Sequence, residues 1–476
     1  MRRSVDTRAS APSSATTSRS AALPVPLPPR RGLPPSPTHS PRPLAQELIE
    51  DPTRPVAPPA VDPDLGLPGD LAARPFGAPF RDLFAIDFAQ WTFINHGAFG
   101  AVARPAMAQA ERWRERCEAQ PLAFLDRELF PQVVRVLREL ARFVGCDAQD
   151  LALLPNATAG LNTVLASLRG EVDVVLTLDV GYGSVRRMAD RLAEEPGTQH
   201  RVVEVGWPPL SRDPVGAVAR AAAEVVGEGL RPPLVVVDYV TSATAVQLPV
   251  PDIVRACHAL GARVLVDGAH ALGTVALDLD ALGADYFVAN CHKWLCGPRG
   301  SAVLHVRRDR QAGVRPLAAS WGSGQGFTSD FIWDGCRDYS PYLALPAALR
   351  LWERVGPERA RRHMRETVQA AAGALAAAWN TGTLVPPDQC PAGMALVRVP
   401  PLGPAACTSD DAKELQDALH HRFRVECPVK CLRTELWVRI SAHVYNEARD
   451  YEPLRDAVLA LRGERGGREG PSKRGP

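Results

Sequence analysis

The chain of 476 residues lacks any apolar run that approaches the length of a membrane span, so we expect no membrane partner. It also lacks a strong charge of one sign, because its formal net charge is only +2, and we therefore expect no nucleic-acid partner. Its 10 cysteines are scattered and form no disulfide-like framework, which is typical of a reducing compartment. With 46% hydrophobic residues, the chain can bury a large core, and its length favours two domains.

The first part of the chain lacks acidic residues, none of which occurs from Thr7 to Gln46. Proline, serine and arginine recur there, and proline-rich stretches neither continue a helix nor pack a core. We predict that residues 1–78 form a disordered extension and that the glycine- and arginine-rich residues 463–476 form a disordered tail. A segment without acidic residues also resembles an organellar transit peptide, which would direct the protein to a mitochondrion or plastid. Because we expect a plain disordered extension, we predict a cytoplasmic protein, and the mitochondrion or plastid is the alternative location.

Asp267 and Lys293 each follow a predicted buried strand, Arg263–Val266 and Tyr286–Ala289. In an open α/β sheet, chemistry gathers at the carboxyl ends of the strands, so an acid and a lysine at two such ends can share one cleft. A lysine amine that forms a Schiff base, with an aspartate that keeps a pyridine nitrogen protonated, is what pyridoxal phosphate (PLP) requires of a protein. Taken alone, either residue is more often structural, but together they predict a PLP site.

A small-residue turn, Asn156–Gly160, follows the predicted strand Leu151–Pro155 and opens a helix. Such a turn presents free backbone N–H groups and the positive end of the helix dipole to a phosphate. Ala157 and Thr158 are therefore candidates to bind a phosphate group. The alternative is an ordinary helix cap formed by Asn156 or Thr158.

Metal binding is a weaker possibility, represented by Cys291, His292 and Cys296. No second pair of ligands with zinc spacing accompanies these residues, so we predict no metal site.

Two stretches carry a resemblance to a known family: D-G-A-H at residues 267–270 and H-K-W-L-C-G-P-R-G at residues 292–300. They resemble the class V aminotransferase superfamily of fold-type I PLP enzymes, especially the isopenicillin-N-epimerase-like and cysteine-desulfhydrase-like subgroup. The resemblance implies an α/β fold, with a seven-stranded, mainly parallel sheet in a large PLP-binding domain at 79–345 and a smaller α+β C-terminal domain at 346–462. Seven strands are predicted to begin at residues 151, 172, 200, 234, 263, 286 and 301. A homodimer is also implied, because fold-type I enzymes build their site at a dimer interface.

The resemblance further implies roles for individual residues. Lys293 would form the Schiff base and remove the Cα proton of an amino-acid substrate, while Asp267 faces the pyridine nitrogen. Tyr182 would stack on the ring, and His270 would lie beneath the ring oxygen. The implied cofactor-binding set is Ala157, Thr158, Tyr182, Ser242, Asp267, His270 and His292.

Substrate contacts are implied for Asn95 and His96 in N-H-G-A-F-G, and for Arg439, whose guanidinium would grip the α-carboxylate. His96 could equally be a loop histidine satisfied by the backbone, and Arg439 could decorate a strand edge. The chain departs from the family at Cys336, which stands where a threonine usually reaches the partner subunit's phosphate. A thiol is a poor hydrogen-bond donor, so this departure predicts weaker cofactor binding.

The expected function is that of a PLP-dependent enzyme acting on an amino acid, either a C–S lyase of the desulfhydrase kind or a transaminase. An amino-acid epimerase and a non-catalytic protein with the same fold are the alternatives. Persulfide transfer is disfavoured, because the S-x-G-S-A-C stretch of the cysteine desulfurases is absent.

Overall fold

The computed structural model describes residues 42–466 except 57, 387–388, 392 and 403–405. Part of the predicted disordered extension is therefore visible, and there the prediction is wrong. Residues Arg42–Glu50 form helix α1, whose Ala45 and Ile49 are 0% and 2% exposed. The guanidinium of Arg138 donates hydrogen bonds to the carbonyls of Leu48 and Asp51 at the end of this helix. Apolar residues at helical spacing outweigh the surrounding prolines, and residues 1–41 lie outside the described part of the chain.

A seven-stranded sheet forms the centre of the molecule, in the order β2-β8-β7-β6-β5-β3-β4. Its strands are β2 (Leu151–Leu154), β3 (Val174–Leu178), β4 (Gln199–Val203), β5 (Leu234–Asp238), β6 (Arg263–Asp267), β7 (Tyr286–Asn290) and β8 (Ala302–Val306). Strands β3 to β7 pair in parallel, whereas β8 is antiparallel to both β2 and β7. The predicted number of strands is confirmed, and each begins within two residues of its predicted start. Nearly continuous apolar runs predicted these strands because the interior of such a sheet is covered on both faces.

Helices surround the sheet and form the remaining layers. After α1 they are α2 (His96–Phe99), α3 (Arg104–Ala119), α4 (Pro121–Ala123), α5 (Leu129–Val144), α6 (Ala157–Ser167), α7 (Gly183–Leu192), α8 (Pro214–Gly227), α9 (Val250–His258), α10 (Leu279–Leu282), α11 (Phe327–Phe331), α12 (Ser340–Leu343), α13 (Leu345–Val355), α14 (Pro357–Trp379), α15 (Ser409–Phe423) and α16 (Glu452–Gly466). No helix in residues 42–466, outside the gaps given above, is long and apolar enough to cross a membrane. Because α16 runs to Gly466, the predicted disordered tail is wrong for residues 463–466, and residues 467–476 lie outside the description.

The C-terminal part carries a second, antiparallel sheet in the order β11-β12-β9. Its strands are β9 (Met394–Arg398), β11 (Val429–Leu432) and β12 (Glu435–Ser441), and the short strand β1 (Thr92–Phe93) pairs in parallel with β10 (Val425–Glu426). The segment before residue 100 is thus joined to strands near the end of the chain. The predicted domain boundary at residue 346 falls at the start of α13 and stays a prediction.

The directions of the strands determine where side chains can meet. Since β8 is antiparallel to both of its neighbours, β2 runs in the same direction as β7. The carboxyl ends of β2, β3, β5, β6 and β7 therefore open to the same edge of the sheet, which is where open α/β sheets bind their ligands.

Candidate active site

Lys293 lies three residues beyond the end of β7 and is half-buried at that edge. Its Nζ is 3.3 Å from Nε2 of His270, and no carboxylate in the described part of the chain forms an ion pair with it. Burial, opposed in part by the charge of Asp267, lowers the pKa of Lys293 to about 8. The amine is therefore poised to be neutral, which is the form that attacks a carbonyl or removes a proton.

His270 is held in one tautomer by its neighbour Trp294. The Nε1–H of Trp294 donates to Nδ1 of His270 at 3.2 Å, and an indole nitrogen can only donate. Burial holds the pKa of His270 well below its ordinary value, so the neutral ring carries its proton on Nε2. That N–H points at Nζ of Lys293, where it can donate only to a neutral amine.

Two buried carboxylates, Asp238 and Asp267, end the neighbouring strands β5 and β6 and are register partners. Oδ1 of Asp267 accepts from the backbone N–H of Ala269 at 2.9 Å, and Oδ2 of Asp238 accepts from that of Tyr182 at 3.3 Å. Burial, and then the charge of Asp267, hold the pKa of Asp238 well above its usual range. Burial also raises the pKa of Asp267, though less strongly, so Asp238 is the member of the pair that takes up a proton first. The sequence analysis did not single out Asp238. A signal was present, because Asp238 ends the apolar run L-V-V-V-D just as Asp267 ends R-V-L-V-D.

Arg439, on β12, brings the C-terminal sheet to the site. Its Nη1 donates to the carbonyl of Ser242 at 2.6 Å and to the Ser242 hydroxyl at 3.3 Å, while its buried Nε has no partner. Burial lowers the pKa of Arg439 to about 10, and no carboxylate among the described residues pairs with it. A buried, unpaired guanidinium costs free energy, and an anion bound there would recover it.

The predicted phosphate turn is only partly open. Asn156 caps α6 by accepting from the N–H of Ala159, and the N–H of Ala157 donates to Oδ1 of Asn290 at 2.9 Å. The amide that Ala157 was expected to offer a phosphate is therefore occupied. The hydroxyl of Thr158 has no partner in the described part of the chain, and the residue is exposed.

The position of His292 limits what it can offer a phosphate. Its Nδ1 donates to the carbonyl of Ser301 at 3.1 Å, so in the neutral ring Nε2 carries the lone pair. Since burial lowers the pKa of His292, a phosphate contact there requires the ring to take up a proton. Its predicted phosphate contact stays a prediction.

His96 has a structural position, which corrects the expected substrate contact. It is 0% exposed, its Nε2 donates to the carbonyl of Lys293 at 3.1 Å, and its Nδ1 accepts from the Tyr445 hydroxyl at 2.7 Å. Neither ring nitrogen is left for a substrate. A Cβ on Gly100 would lie 2.2 Å from the carbonyl oxygen of His292, so glycine lets this segment approach the lysine backbone.

Three other candidates lie at the edges of the site. Asn95 lines a cavity of about 430 Å³ beside Gly100, and its buried Oδ1 has no partner. Tyr182 precedes α7 and is 45% exposed, which leaves its ring free to stack on a ligand. Cys336 is exposed and lies in the loop before α12.

These groups together fit PLP. The half-buried amine of Lys293 has a lowered pKa, a buried carboxylate pair lies at adjacent strand ends, and the buried Nε of Arg439 has no partner. The structure thus places Asp267 and Arg439 near enough to Lys293 for their charges to act on its amine. The role of each in binding stays a prediction.

Comparison with known proteins identifies the family. The family model for the class-V aminotransferases matches residues 128–454. The chain belongs to the class-V aminotransferase family. Since class-V aminotransferases use pyridoxal phosphate, it is a PLP-dependent enzyme, and the resemblance seen in the sequence is confirmed.

Relatives of this class-V member carry different names. It is 31% identical over 399 residues to a probable chloroplastic L-cysteine desulfhydrase from Arabidopsis thaliana, covering 79% of this chain and 83% of the relative. It is 33% identical over 390 residues to an isopenicillin N epimerase from Streptomyces clavuligerus, covering 78% of this chain and 95% of the relative. Among solved structures, the apo cysteine desulfurase from Thermococcus onnurineus has a TM-score of 0.68 at 18% identity, covering 83% of this chain and 100% of the other. That likeness confirms the fold-type I architecture.

Proposed function

We propose that the protein is a PLP-dependent C–S lyase that releases sulfide from a small sulfur-containing amino acid such as L-cysteine. The observation that carries the proposal is the buried guanidinium of Arg439, which has no acid partner and whose charge acts on the neighbouring Lys293. A planar guanidinium fits the α-carboxylate that every amino-acid substrate presents. The L-cysteine desulfhydrase among its relatives supports a sulfur-containing substrate.

The residues around Lys293 would hold the cofactor. Asp267 would accept a hydrogen bond from the ring nitrogen and keep it protonated, Tyr182 would cover the ring, and Thr158 would contact the phosphate. When bound, PLP supplies a carbonyl that condenses with amines and a ring that takes up electron density from the substrate Cα. The Ser242 hydroxyl accepts a hydrogen bond from Arg439, and its own hydrogen is available to donate to the cofactor.

Lys293 is the group proposed to move the proton. With a pKa of about 8, its amine is neutral often enough near pH 7 to accept the Cα proton. His270 donates to the lone pair of the neutral, free amine and so orients it. The net reaction with L-cysteine and one water yields hydrogen sulfide, ammonia and pyruvate.

Persulfide transfer is not supported, because it needs an accessible nucleophilic thiol. Burial raises the pKa of Cys291, Cys296 and Cys427, the buried cysteines closest in sequence to Lys293 and Arg439. Among the ten cysteines Cys336 is the only exposed one, and it lacks the S-x-G-S-A-C context of the cysteine desulfurases. Sulfur would therefore leave as sulfide rather than pass to the protein.

Epimerisation is the second candidate, since one relative is an isopenicillin N epimerase. That reaction needs a second base on the opposite face of the substrate. His96 and His270, the buried histidines closest to Lys293, already use both ring nitrogens. The geometry thus favours the lyase over the epimerase.

The test combines product analysis with a matched pair of lysine variants. Protein loaded with PLP is given L-cysteine, L-alanine and L-glutamate, and sulfide, keto acids and optical rotation are followed. We expect sulfide and pyruvate in equal amounts from L-cysteine, none from Lys293→Ala, and full activity from Lys413→Ala, whose lysine is exposed on α15. Keto acid formed only with an amino acceptor would indicate transamination, and racemisation without sulfide would indicate an epimerase. A Lys293→Ala protein that still holds PLP after borohydride and denaturation would refute the role of the lysine.

We also propose that the protein is a homodimer. Phe99, which precedes the glycine that approaches the Lys293 backbone, is 74% exposed, and Trp321 is 68% exposed, which is unusual for large apolar side chains. Light scattering should give twice the chain mass, and Phe99→Asp should give a monomer. Val226→Asp, which changes a 40% exposed residue on α8, should leave the dimer intact. A wild-type monomer would refute the proposal.

For location we propose the cytoplasm. One relative is named chloroplastic. Import of the protein into a plastid or a mitochondrion would therefore overturn the proposed location. A fluorescent protein fused behind residues 1–78 should stay in the cytosol of the source organism.

A further inference from the structure

A second polar cluster lies at the opposite edge of the sheet from Lys293. Asp150 directly precedes β2, His305 lies on β8 opposite Leu151, and Asp280 lies in α10. One ligand atom from each of the three residues lies within 4.8 Å of the other two. Nothing in the proposed reaction uses these residues.

The three groups have free ligand atoms. Both donors to the Asp150 carboxylate, Nε of Arg308 and Nε2 of Gln311, reach Oδ1 at 2.6 Å, and within the described residues Oδ2 accepts no hydrogen bond. His305 is 2% exposed, and its buried Nδ1 has no partner. The Asp280 carboxylate likewise has no donor in the part of the chain that the structure describes. A buried imidazole nitrogen without a partner is unusual and calls for a missing ligand.

The electrostatics of the cluster favour a cation. The carboxylates of Asp150 and Asp280 lie close together, and the negative charge of Asp150 acts on Asp280. Asp147 and Asp278 add further negative charge, which Arg308 offsets only in part through Asp147 and Asp150. The imidazole of His305 can offer a nitrogen lone pair at its buried Nδ1, which has no partner.

The ligand set indicates the kind of ion. One imidazole and two carboxylates suit Zn²⁺ and similar first-row divalent ions, with water in the remaining position. Ligand atoms around such an ion lie about 3 to 4 Å apart, as metal bonds of about 2.1 Å require. Asp280 is exposed and can rotate to reach that spacing. The hydrogen bonds from Arg308 and Gln311 would orient the Asp150 carboxylate, as outer-shell partners do in metal sites.

A second buried group, His96, Cys296 and His443, does not offer such a set. The two imidazole rings are stacked, with centroids 4.1 Å apart and planes 19° apart. Their in-plane lone pairs therefore cannot converge on one ion, and both nitrogens of His96 are already hydrogen-bonded.

We propose that Asp150, Asp280 and His305 bind a divalent transition-metal ion such as Zn²⁺ in a structural site separate from the active site. The ion would link the turn before β2, helix α10 and strand β8 at the edge of the sheet remote from the cofactor. It would stabilise the folded protein in proportion to its affinity, because the unfolded chain does not bring the three ligands together.

The test is a zinc titration of the full-length, untagged, PLP-loaded protein after dialysis against a chelator. Calorimetry with ZnCl₂ should reveal one tight equivalent and a rise in melting temperature that EDTA reverses. Asp280→Asn, which changes an exposed side chain, and His305→Gln should each weaken that binding at least tenfold. Asp309→Asn removes an exposed carboxylate that pairs with Arg307 just after β8, and it should leave the affinity unchanged.

The PLP absorbance band should be the same in all of these proteins, which separates the metal site from the active site. Zinc binding of wild-type strength and stoichiometry in Asp280→Asn would overturn the proposal even if His305→Gln failed to fold. A wild-type protein that takes up no zinc would overturn it as well.

Discussion

The lowered pKa of Lys293 makes a quantitative prediction about its reactivity. At pH 7 an amine with the ordinary pKa of 10.5 is neutral in about one molecule in 3,000, whereas at a pKa of about 8 it is neutral in about one in eleven. The fold therefore raises the reactive fraction about 300-fold at this pH. Because the pKa is lowered, the reactivity of the amine should rise with pH through about 8 and level off above it.

Competitive labelling can measure this pKa directly. The chain has only four lysines, at positions 293, 413, 430 and 473, so each peptide is easily assigned. PLP-free protein is exposed to trace acetic anhydride at pH 6 to 11, and mass spectrometry follows the peptide of each lysine. Lys413, on the exposed face of α15, serves as the internal standard. The reasoning is refuted if the midpoint of Lys293 equals or exceeds that of Lys413.

Two charge variants should move this midpoint in opposite directions. Asp267→Asn removes a negative charge that raises the pKa of Lys293, so the midpoint should fall further. Arg439→Met removes a positive charge that lowers this pKa, so the midpoint should rise. An unchanged midpoint in both variants would show that burial alone sets the pKa, and shifts of the same sign would contradict the assigned charge effects.

Three further variants test other contacts of the site. Gly100→Ala places a Cβ 2.2 Å from a backbone oxygen at a φ of +69° and should cost about 3 kcal/mol of unfolding free energy in urea, whereas Gly227→Ala, with no atom within 4 Å, should change it by less than about 0.5 kcal/mol. Asp238→Asn imitates a protonated acid and should keep the PLP absorbance band, whereas Asp267→Asn should weaken PLP binding at least tenfold, as measured by titration. Trp294→Phe removes one hydrogen bond, of about 1 kcal/mol, and should raise the labelling midpoint of the catalytic lysine by less than about one pH unit.

The sheet was predictable because its strands are local, nearly uninterrupted apolar runs. Helices with clear ends were predictable too. The ends of α5 and α14 are marked in the sequence, since Gly145 and Asn380 adopt the left-handed conformation that ends each helix. Lys293 and Asp267 could be paired in advance because strand direction alone brings two carboxyl ends to one edge.

What sequence reasoning missed depends on contacts between distant residues. The burial of His96 depends on Tyr445, so no local pattern separates a structural histidine from one that binds substrate. Burial, and then the charge of Asp267 beside it in the sheet, raises the pKa of Asp238, and that register follows only from the order of the strands. Helix α1 was missed because its apolar residues are surrounded by a proline-rich composition.

The pairing of β1 with β10 affects how the protein folds during its synthesis. The hydrogen-bond partner of His96, Tyr445, lies 349 residues later in the chain. At about 5 to 20 residues per second the ribosome needs about 17 to 70 s to synthesise that length. Until then the segment that supports the lysine backbone lacks its contacts with the C-terminal part of the chain. A nascent chain that stalls before β10 therefore has the whole central sheet but an incomplete active site. It also exposes Phe84 and Ile94, which the finished protein buries. We expect such truncated chains to be substrates for chaperones and proteases rather than partially active enzymes.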